Sequence, residues 1–229
     1  MTMQVKKISE HIWSLKTWMI IPIHVWVVAD REGITLVDAG MPMMTKGIMK
    51  FIEQLNAGPL QRILLTHGHS DHVGAVKGIL KKYEVPVYAH QIEIPYMEGE
   101  VVYPKRKKLE NNLPKTLTRS LLEEDSKELK KIGGLTPYFT PGHSPGHVVY
   151  YHEQDQVLLA GDLFTSKKGK LKQPMPTFTA DMKQAVESAN IISLLKPKQL
   201  EVCHGNTVLQ PSDQLEEYIK TMKRKLGGY

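Results

Sequence analysis

Four apolar runs in this 229-residue chain each deliver a side chain able to bind a metal ion, and that repetition constrains the fold more than any other feature. "RILLTH" delivers His67, "YFTPGH" His143, "VLLAGD" Asp162 and "LEVCHG" His204. A strand fixes the direction of its side chains while the loop after it can wrap an ion, so ligands collect where strands end. "THGHSDH" adds His69, Asp71 and His72 directly after the first run. Alone, that stretch could be a histidine-rich polar loop. With three further runs ending alike, it predicts several strand ends brought to one edge.

The spacing of apolar residues supports such a scaffold. "HIWSLKT", "HVWVVAD" and "ITLVDAG" read as strands, "MMTKGIMKFIEQLNAG" as a helix stopped by Gly58, "RILLTH" as a buried strand, "GAVKGILKKY" as a helix and "VPVYAH" as a strand. The second half echoes this order. It has a strand at "TPYFTPGH", a hairpin in "HVVYYHEQDQVLLAGD", one helix over "ADMKQAVESANIISLL" with Thr179 as N-cap, a strand at "QLEVCHG" and a last helix capped by Ser212. Between the halves, residues 92–131 form a strongly charged segment, read as a helical insertion: either a solvated excursion or an element that recognises substrate. The whole is expected to be one domain over 1–229.

Seven groups then converge in principle: His67, His69, Asp71, His72, His143, Asp162 and His204. Neutral imidazole and carboxylate suit zinc first, with iron or manganese also compatible. Seven donors exceed one tetrahedral ion and fit two ions sharing a bridge, for which the two oxygens of Asp162 are best suited. Two ions ~3.5–4 Å apart clamp a hydroxide and polarise an electrophile.

The motifs "VDAG" (37–40), "THGHSDH" (66–72), "PGHSPGH" (141–147), "AGDLF" (160–164) and "CHGN" (203–206) together resemble the metallo-β-lactamase superfamily, the glyoxalase II-like hydrolases. The resemblance implies an α/β fold, a four-layer αβ/βα sandwich of two mixed sheets flanked by helices. It implies His67, His69 and His143 on a first ion, Asp71, His72 and His204 on a second, and Asp162 bridging. The nucleophile would be a metal-bound hydroxide, with Asp71 as catalytic proton acceptor. Asp38 would hold the ligand loop by hydrogen bonds, and His147 is expected to support the site without ligating. His24 stands where many relatives carry asparagine. Cys203 is expected to point away from the ligands as a small buried hydrophobe.

The ligand set narrows the chemistry. Zinc β-lactamases typically lack an aspartate bridge, and flavodiiron oxidoreductases commonly replace the second histidine of the motif with glutamate. The expectation is therefore a dinuclear hydrolase of an ester, thioester or lactone of a small molecule. The alternatives are a phosphodiesterase or nuclease of the same fold and, behind it, an iron-dependent oxidoreductase. Only 25 residues follow His204, against the helical domain that grips glutathione in glyoxalase II enzymes. Thr165 stands where quorum-quenching lactonases often carry tyrosine. Trp18, Phe164, Thr165 and Lys167 are the candidate substrate contacts.

Composition adds limits. A net charge of +6 and a pI of 9.2 admit acidic partners, but no run of basic and aromatic residues suits single-stranded nucleic acid, so none is expected. Cys203 is the one cysteine, which excludes an internal disulfide and suits a reducing compartment. No signal peptide or membrane span is read, and the expected location is the cytoplasm.

Overall fold

The computed structural model describes residues 3–124 and 128–227. Its first sheet is built from seven strands in chain order: β1 (Gln4–Lys7), β2 (Ile12–Trp18), β3 (Pro22–Asp30), β4 (Gly33–Val37), β5 (Leu60–Leu64), β6 (Val87–Ala89) and β7 (Thr118–Ser120). The pairings through β4 are antiparallel and those from β4 to β7 parallel. Parallel neighbours need crossovers. Helix α1 (Thr45–Leu55) supplies one, α2 (Ser70–Val73) and α3 (Val76–Leu80) the next, and α4 (Ile94–Met97) lies in the last. Ile48 and Ile52 of α1 are buried one turn apart, and Asn56, in the left-handed region at φ 48°, ends the helix ahead of Gly58.

The second half supplies β8 (Thr136–Phe139), β9 (Val148–His152), β10 (Val157–Leu159), a separate hairpin of β11 (Thr165–Lys167) and β12 (Lys170–Lys172), then β13 (Gln199–Glu201) and β14 (Val208–Leu209). Five of them form a second sheet in the order β14-β13-β10-β9-β8. β9 and β10 make the expected hairpin. Helices α5 (Met182–Ser188), α6 (Ile191–Leu195) and α7 (Ser212–Lys225) cover this sheet, with Val186, Ile192, Leu215 and Met222 packed against Val149, Leu158 and Leu200. The other face, through Tyr150, Val157 and Leu159, joins Trp26, Leu36 and Ile63 of the first sheet in one continuous core. The result is the expected sandwich of mixed sheets with helices outside. Tyr150 Oη donates to Leu65 O at 2.8 Å and Val148 N to Thr66 O at 2.9 Å, so the sheets are hydrogen-bonded where the ligand loop begins.

Local structure departs from the sequence reading at four places. Residues 92–131 are not helical: among the described residues they hold only the one-turn α4 and the three-residue β7. Pro104 and Pro114 interrupt any helix, and Gly99, Lys105 and Thr116 take positive φ. The helix expected over 180–195 is two, α5 and α6, with Asn190 preceding α6. Asp181, not Thr179, caps α5, its Oδ1 accepting from Lys183 N (2.9 Å) and Gln184 N (3.0 Å). Ser212 is the first residue of α7; Pro211 holds the cap position, and no side chain caps it.

Candidate metal centre

The C-terminal ends of β4, β5, β10 and β13 and the loop after β8 meet at one edge, because β4 and β5 are parallel, as are β10 and β13. Asp38 follows β4, His67 and His69 follow β5, and Asp71 and His72 sit on α2. His143 lies between β8 and β9, Asp162 follows β10, and His204 follows β13. The structure brings all seven candidate ligands to this edge.

His67, His69 and His143 form one compact buried group. His67 Nε2 is 2.9 Å and His143 Nε2 3.1 Å from His69 Nδ1. A second group gathers His72, Asp162 and His204. Asp162 reaches both: Oδ1 is 3.5 Å from His72 Nε2, and Oδ2 is 3.3 Å from His204 Nε2 and 3.4 Å from His143 Nε2. Asp71 Oδ2 is 3.2 Å from His204 Nε2. Two donors on one tetrahedral zinc at ~2.0–2.1 Å stand about 3.3 Å apart, which these separations match.

The far side of each imidazole decides which nitrogen is free for an ion. Thr66 Oγ1 donates to Asp38 Oδ2 at 2.8 Å and so accepts from His67 Nδ1 at 3.1 Å, leaving His67 Nε2 its lone pair. His72 Nδ1 donates to Asp38 Oδ2 (2.8 Å) and His204 Nδ1 to Pro22 O (2.9 Å). His143 Nδ1 faces Thr179 Oγ1 at 3.3 Å, and that hydroxyl itself donates to Met175 O. Four histidines thus present Nε2 inward. His72 Nε2, Asp162 Oδ1 and His204 Nε2 are buried with no hydrogen-bond partner among the described residues, an expensive arrangement unless a cation lies between them.

The titration of the groups points the same way. Burial, reinforced by the other imidazoles, holds His67 well below the ordinary range, and burial lowers His69 to about 4 and His143 well down. These three are neutral donors. Burial also opposes charge on His72 and His204, but Cys203, Asp38 and Asp162 around the first, and Asp162, Cys203 and Asp71 around the second, raise both. Asp162 falls well below the carboxylate range and Asp71 to about 2, the neighbouring histidines outweighing burial. The second group therefore calls for positive charge, taken as protons on its histidines or supplied by a divalent ion.

Supporting residues are built into the same edge. Asp38, at φ 58°, accepts from Thr66 N at 2.8 Å as well as from His72. His147 Nε2 accepts from Asp162 N at 3.2 Å and contacts Thr140 Oγ1 at 3.0 Å through Nδ1, which fixes the backbone that aims Asp162. Gly142, at φ 130°, lies where a Cβ would overlap the backbone of Ala185, so only glycine lets α5 approach the His143 loop this closely.

Several participants escaped sequence reasoning. Glu93, wholly buried, accepts from Gly68 N (2.9 Å) and Tyr103 Oη (2.8 Å) on Oε1, and from Ser144 Oγ (2.9 Å) and Gly146 N (2.8 Å) on Oε2. It ties the His67–His69 loop to the His143–His147 loop. The 92–131 segment forms a wall of the site: Asn112 Nδ2 donates to Gly68 O at 2.9 Å, Lys105 Nζ to Thr179 O at 2.7 Å, and the Tyr103 ring lies 5.0 Å from that of His69. Cys203 does not point away. Its sulfur lies within 4.8 Å of the donors of His72, Asp162 and His204, because β13 ends at Glu201 and strand alternation no longer governs residue 203. It is also sealed in the core. His24 stands at the margin, its Nδ1 2.7 Å from Ser14 Oγ and its pKa lowered by burial to about 4.

A cavity of 240 Å³ opens on the centre, lined by Asp71, Arg106, Glu110, Ile21, Met175 and Phe178 among others. The four candidate substrate contacts do not line it. Phe164 is buried against Tyr218 in the second core, and Thr165 Oγ1 donates to Gln173 O at 2.7 Å. Lys167 is exposed on β11, and Trp18 is exposed at the end of β2, where Ile21 reaches the cavity in its place. A third group, His11, His152 and Asp155, lies at the opposite edge; its carboxylate accepts from Ser9 Oγ, His11 N and His11 Nδ1 and fastens β2 to the β9–β10 turn.

Two mixed sheets under helices, with histidines and aspartates gathered at their shared edge, define a class of metal-binding α/β hydrolases, and comparison with known proteins agrees. The model of the metallo-beta-lactamase superfamily matches residues 20–204. The chain is 35% identical over 221 residues to the probable metallo-hydrolase YybB of Bacillus subtilis (strain 168), covering 95% of this chain and 98% of that one. It is 28% identical over 186 residues to the hydroxyacylglutathione hydrolase of Shewanella halifaxensis (strain HAW-EB4), covering 79% and 60%. A solved metallo-beta-lactamase from Erythrobacter litoralis, with beta-mercaptoethanol in its active site, superposes with a TM-score of 0.76 at 14% identity, covering 96% of each chain. The chain belongs to the metallo-β-lactamase superfamily and is an enzyme of the metallo-hydrolase kind.

Proposed function

We propose that this enzyme is a dinuclear hydrolase that cleaves an ester, thioester or lactone bond of a small molecule. The observation that carries it is Asp162, whose two carboxylate oxygens reach His72 and His204 on one side and His143 on the other. His67, His69 and His143 would hold one divalent ion, and His72, His204 and Asp71 the other, with Asp162 shared. Zinc suits the imidazole-rich set; iron or manganese would also fit. Such ions supply a water of lowered pKa and polarise the acyl oxygen.

The chain's own residues do the rest. Thr66, Asp38, Pro22 and Thr179 fix the tautomers of His67, His72, His204 and His143, so none of these four must turn before it can ligate. Asp71, kept ionised beside His204, lines the cavity and can accept a proton at its carboxylate as substrate is attacked. Ile21, Met175 and Phe178 give the acyl chain an apolar wall. A 240 Å³ cavity suits a small molecule better than a polynucleotide. No helix among the described residues is long and apolar enough to cross a membrane, and a lone free thiol suits the reducing cytoplasm.

Elemental analysis beside a panel of esters, thioesters, lactones and phosphodiesters tests this reading. Two metal ions per chain and acyl turnover are expected, both lost in Asp162→Ala. Metal-replete protein that leaves the acyl panel untouched, or cleaves only phosphodiesters, would overturn it.

A further inference from the structure

The wall contributed by residues 92–131 carries a cation with an unused face. Arg106 and Glu110 both line the cavity that opens on the metal centre, as do Asp71 and Asp162. The guanidinium is oriented twice. Its Cζ lies over the Phe178 ring at 5.0 Å from the centroid, and Nε is 3.3 Å from Glu110 Oε1. Glu110 is itself steadied by Asn112 Nδ2 on its other oxygen, at 3.3 Å. Among the described residues the terminal nitrogens of Arg106 have no partner. Two anchors hold this side chain while its two-pronged donor edge stays free.

We propose that Arg106 is the substrate-recognition residue of this enzyme, and that its acyl substrates carry a carboxylate a few atoms from the scissile bond. This rests on the hydrolase reading above. A planar guanidinium with a free edge matches a carboxylate bidentately, which a lysine cannot do. Stacking on Phe178 lowers the entropy lost on binding, because less side-chain freedom remains to be frozen. The neighbouring Ile21, Met175 and Phe178 suit the short apolar link between the two carbonyl groups of such a compound. Lys105, Lys107 and Lys108 flank Arg106 in sequence, so the "KRKK" run adds positive field around the residue that lines the cavity.

The competing role for Arg106 is structural, a stitch between the insertion and the segment that carries Thr179. The two separate by comparing zinc-loaded wild type, Arg106→Met and Arg106→Lys on mono-4-nitrophenyl glutarate and 4-nitrophenyl butyrate, with metal content measured for each. Loss of one charge-assisted contact lowers the ratio of kcat/KM for the anionic over the neutral ester by about 10–150-fold in Arg106→Met, through KM rather than kcat, with Arg106→Lys between. Calorimetric titration with glutarate should show a matching loss of affinity. A ratio and a glutarate affinity both within about twofold of wild type would overturn the proposal and leave Arg106 a stitch. If zinc-loaded wild type cleaved neither ester, the hydrolase reading would fall, while the glutarate titration would still decide the role of Arg106.

Discussion

Glu93→Gln is the sharpest test of how the ligand loops are held. The wild-type carboxylate accepts four hydrogen bonds at 2.8–2.9 Å, two from backbone N–H groups and two from hydroxyls. Burial raises its pKa, and the four donors pull it back down without cancelling the rise. Glutamine keeps the shape but replaces one acceptor oxygen with an amide that donates. The hydroxyl on that side, Tyr103 or Ser144, can rotate to accept; the backbone N–H, of Gly68 or Gly146, cannot. One buried N–H left unsatisfied costs ~1–3 kcal/mol, and weakening the remaining bonds from charge-assisted to neutral brings the total to ~2–4 kcal/mol. For a chain of this size that is a fall of roughly 4–16 °C in Tm. Thermal melts followed by circular dichroism, on metal-free and zinc-loaded protein, measure it. A metal-free Tm within ~2 °C of wild type would refute the reasoning, because it would mean that Glu93 is already a neutral acid in the fold.

Further outcomes follow from the same geometry. Burial lowers His24 and His69 to about 4 and His147 to about 3, so the metal-free fold binds fewer protons than the unfolded chain between pH 6.5 and 4. The stability these three groups contribute should be full above that window and fall as pH drops through it; His24→Gln should remove about 3 kcal/mol of that fall, read by urea unfolding at several pH values. An equally steep fall in the variant would show that His24 is not held neutral. Asp38→Ala strips His72 and Thr66 of their acceptor and should weaken zinc retention 10–100-fold in competition with a chelator, roughly the loss expected when a ligand's supporting hydrogen bond is removed. Cys203 is sealed at 0% exposure, so a thiol reagent should label no sulfur in the native protein and one per chain after unfolding. Rapid labelling of the native state would contradict the packing.

The donors were legible because each is short-range information: an apolar run and the imidazole or carboxylate that ends it. The sandwich was legible for the same reason, through periodicity at β3, β4, α1 and α7. What holds the donors was not. Glu93 acts 25 residues from Gly68 and 53 from Gly146, and Lys105 acts 74 residues from Thr179, distances over which no local pattern carries. Arg106 and Tyr103 lie where Pro104 and Pro114 suppress periodicity, so composition alone suggested helices there. Cys203 was misjudged because strand alternation was extended two residues past the end of β13. Phe164, Thr165 and Lys167 were placed at the pocket by their nearness in sequence to Asp162, yet the chain turns after that residue and packs Phe164 into the second core.

The wall over the cavity is fastened to the backbone beside the ligands: Asn112 to the carbonyl of Gly68, between two histidines, and Lys105 to Thr179, the partner of His143. Selection for a new substrate that moves this wall therefore also moves the groups that orient two imidazoles. If the wall sets preference as proposed, preference and metal retention would be inherited together in this chain. Variants chosen in the laboratory for altered preference at residues 103–112 should be screened at low as well as high zinc, where that shared inheritance becomes visible.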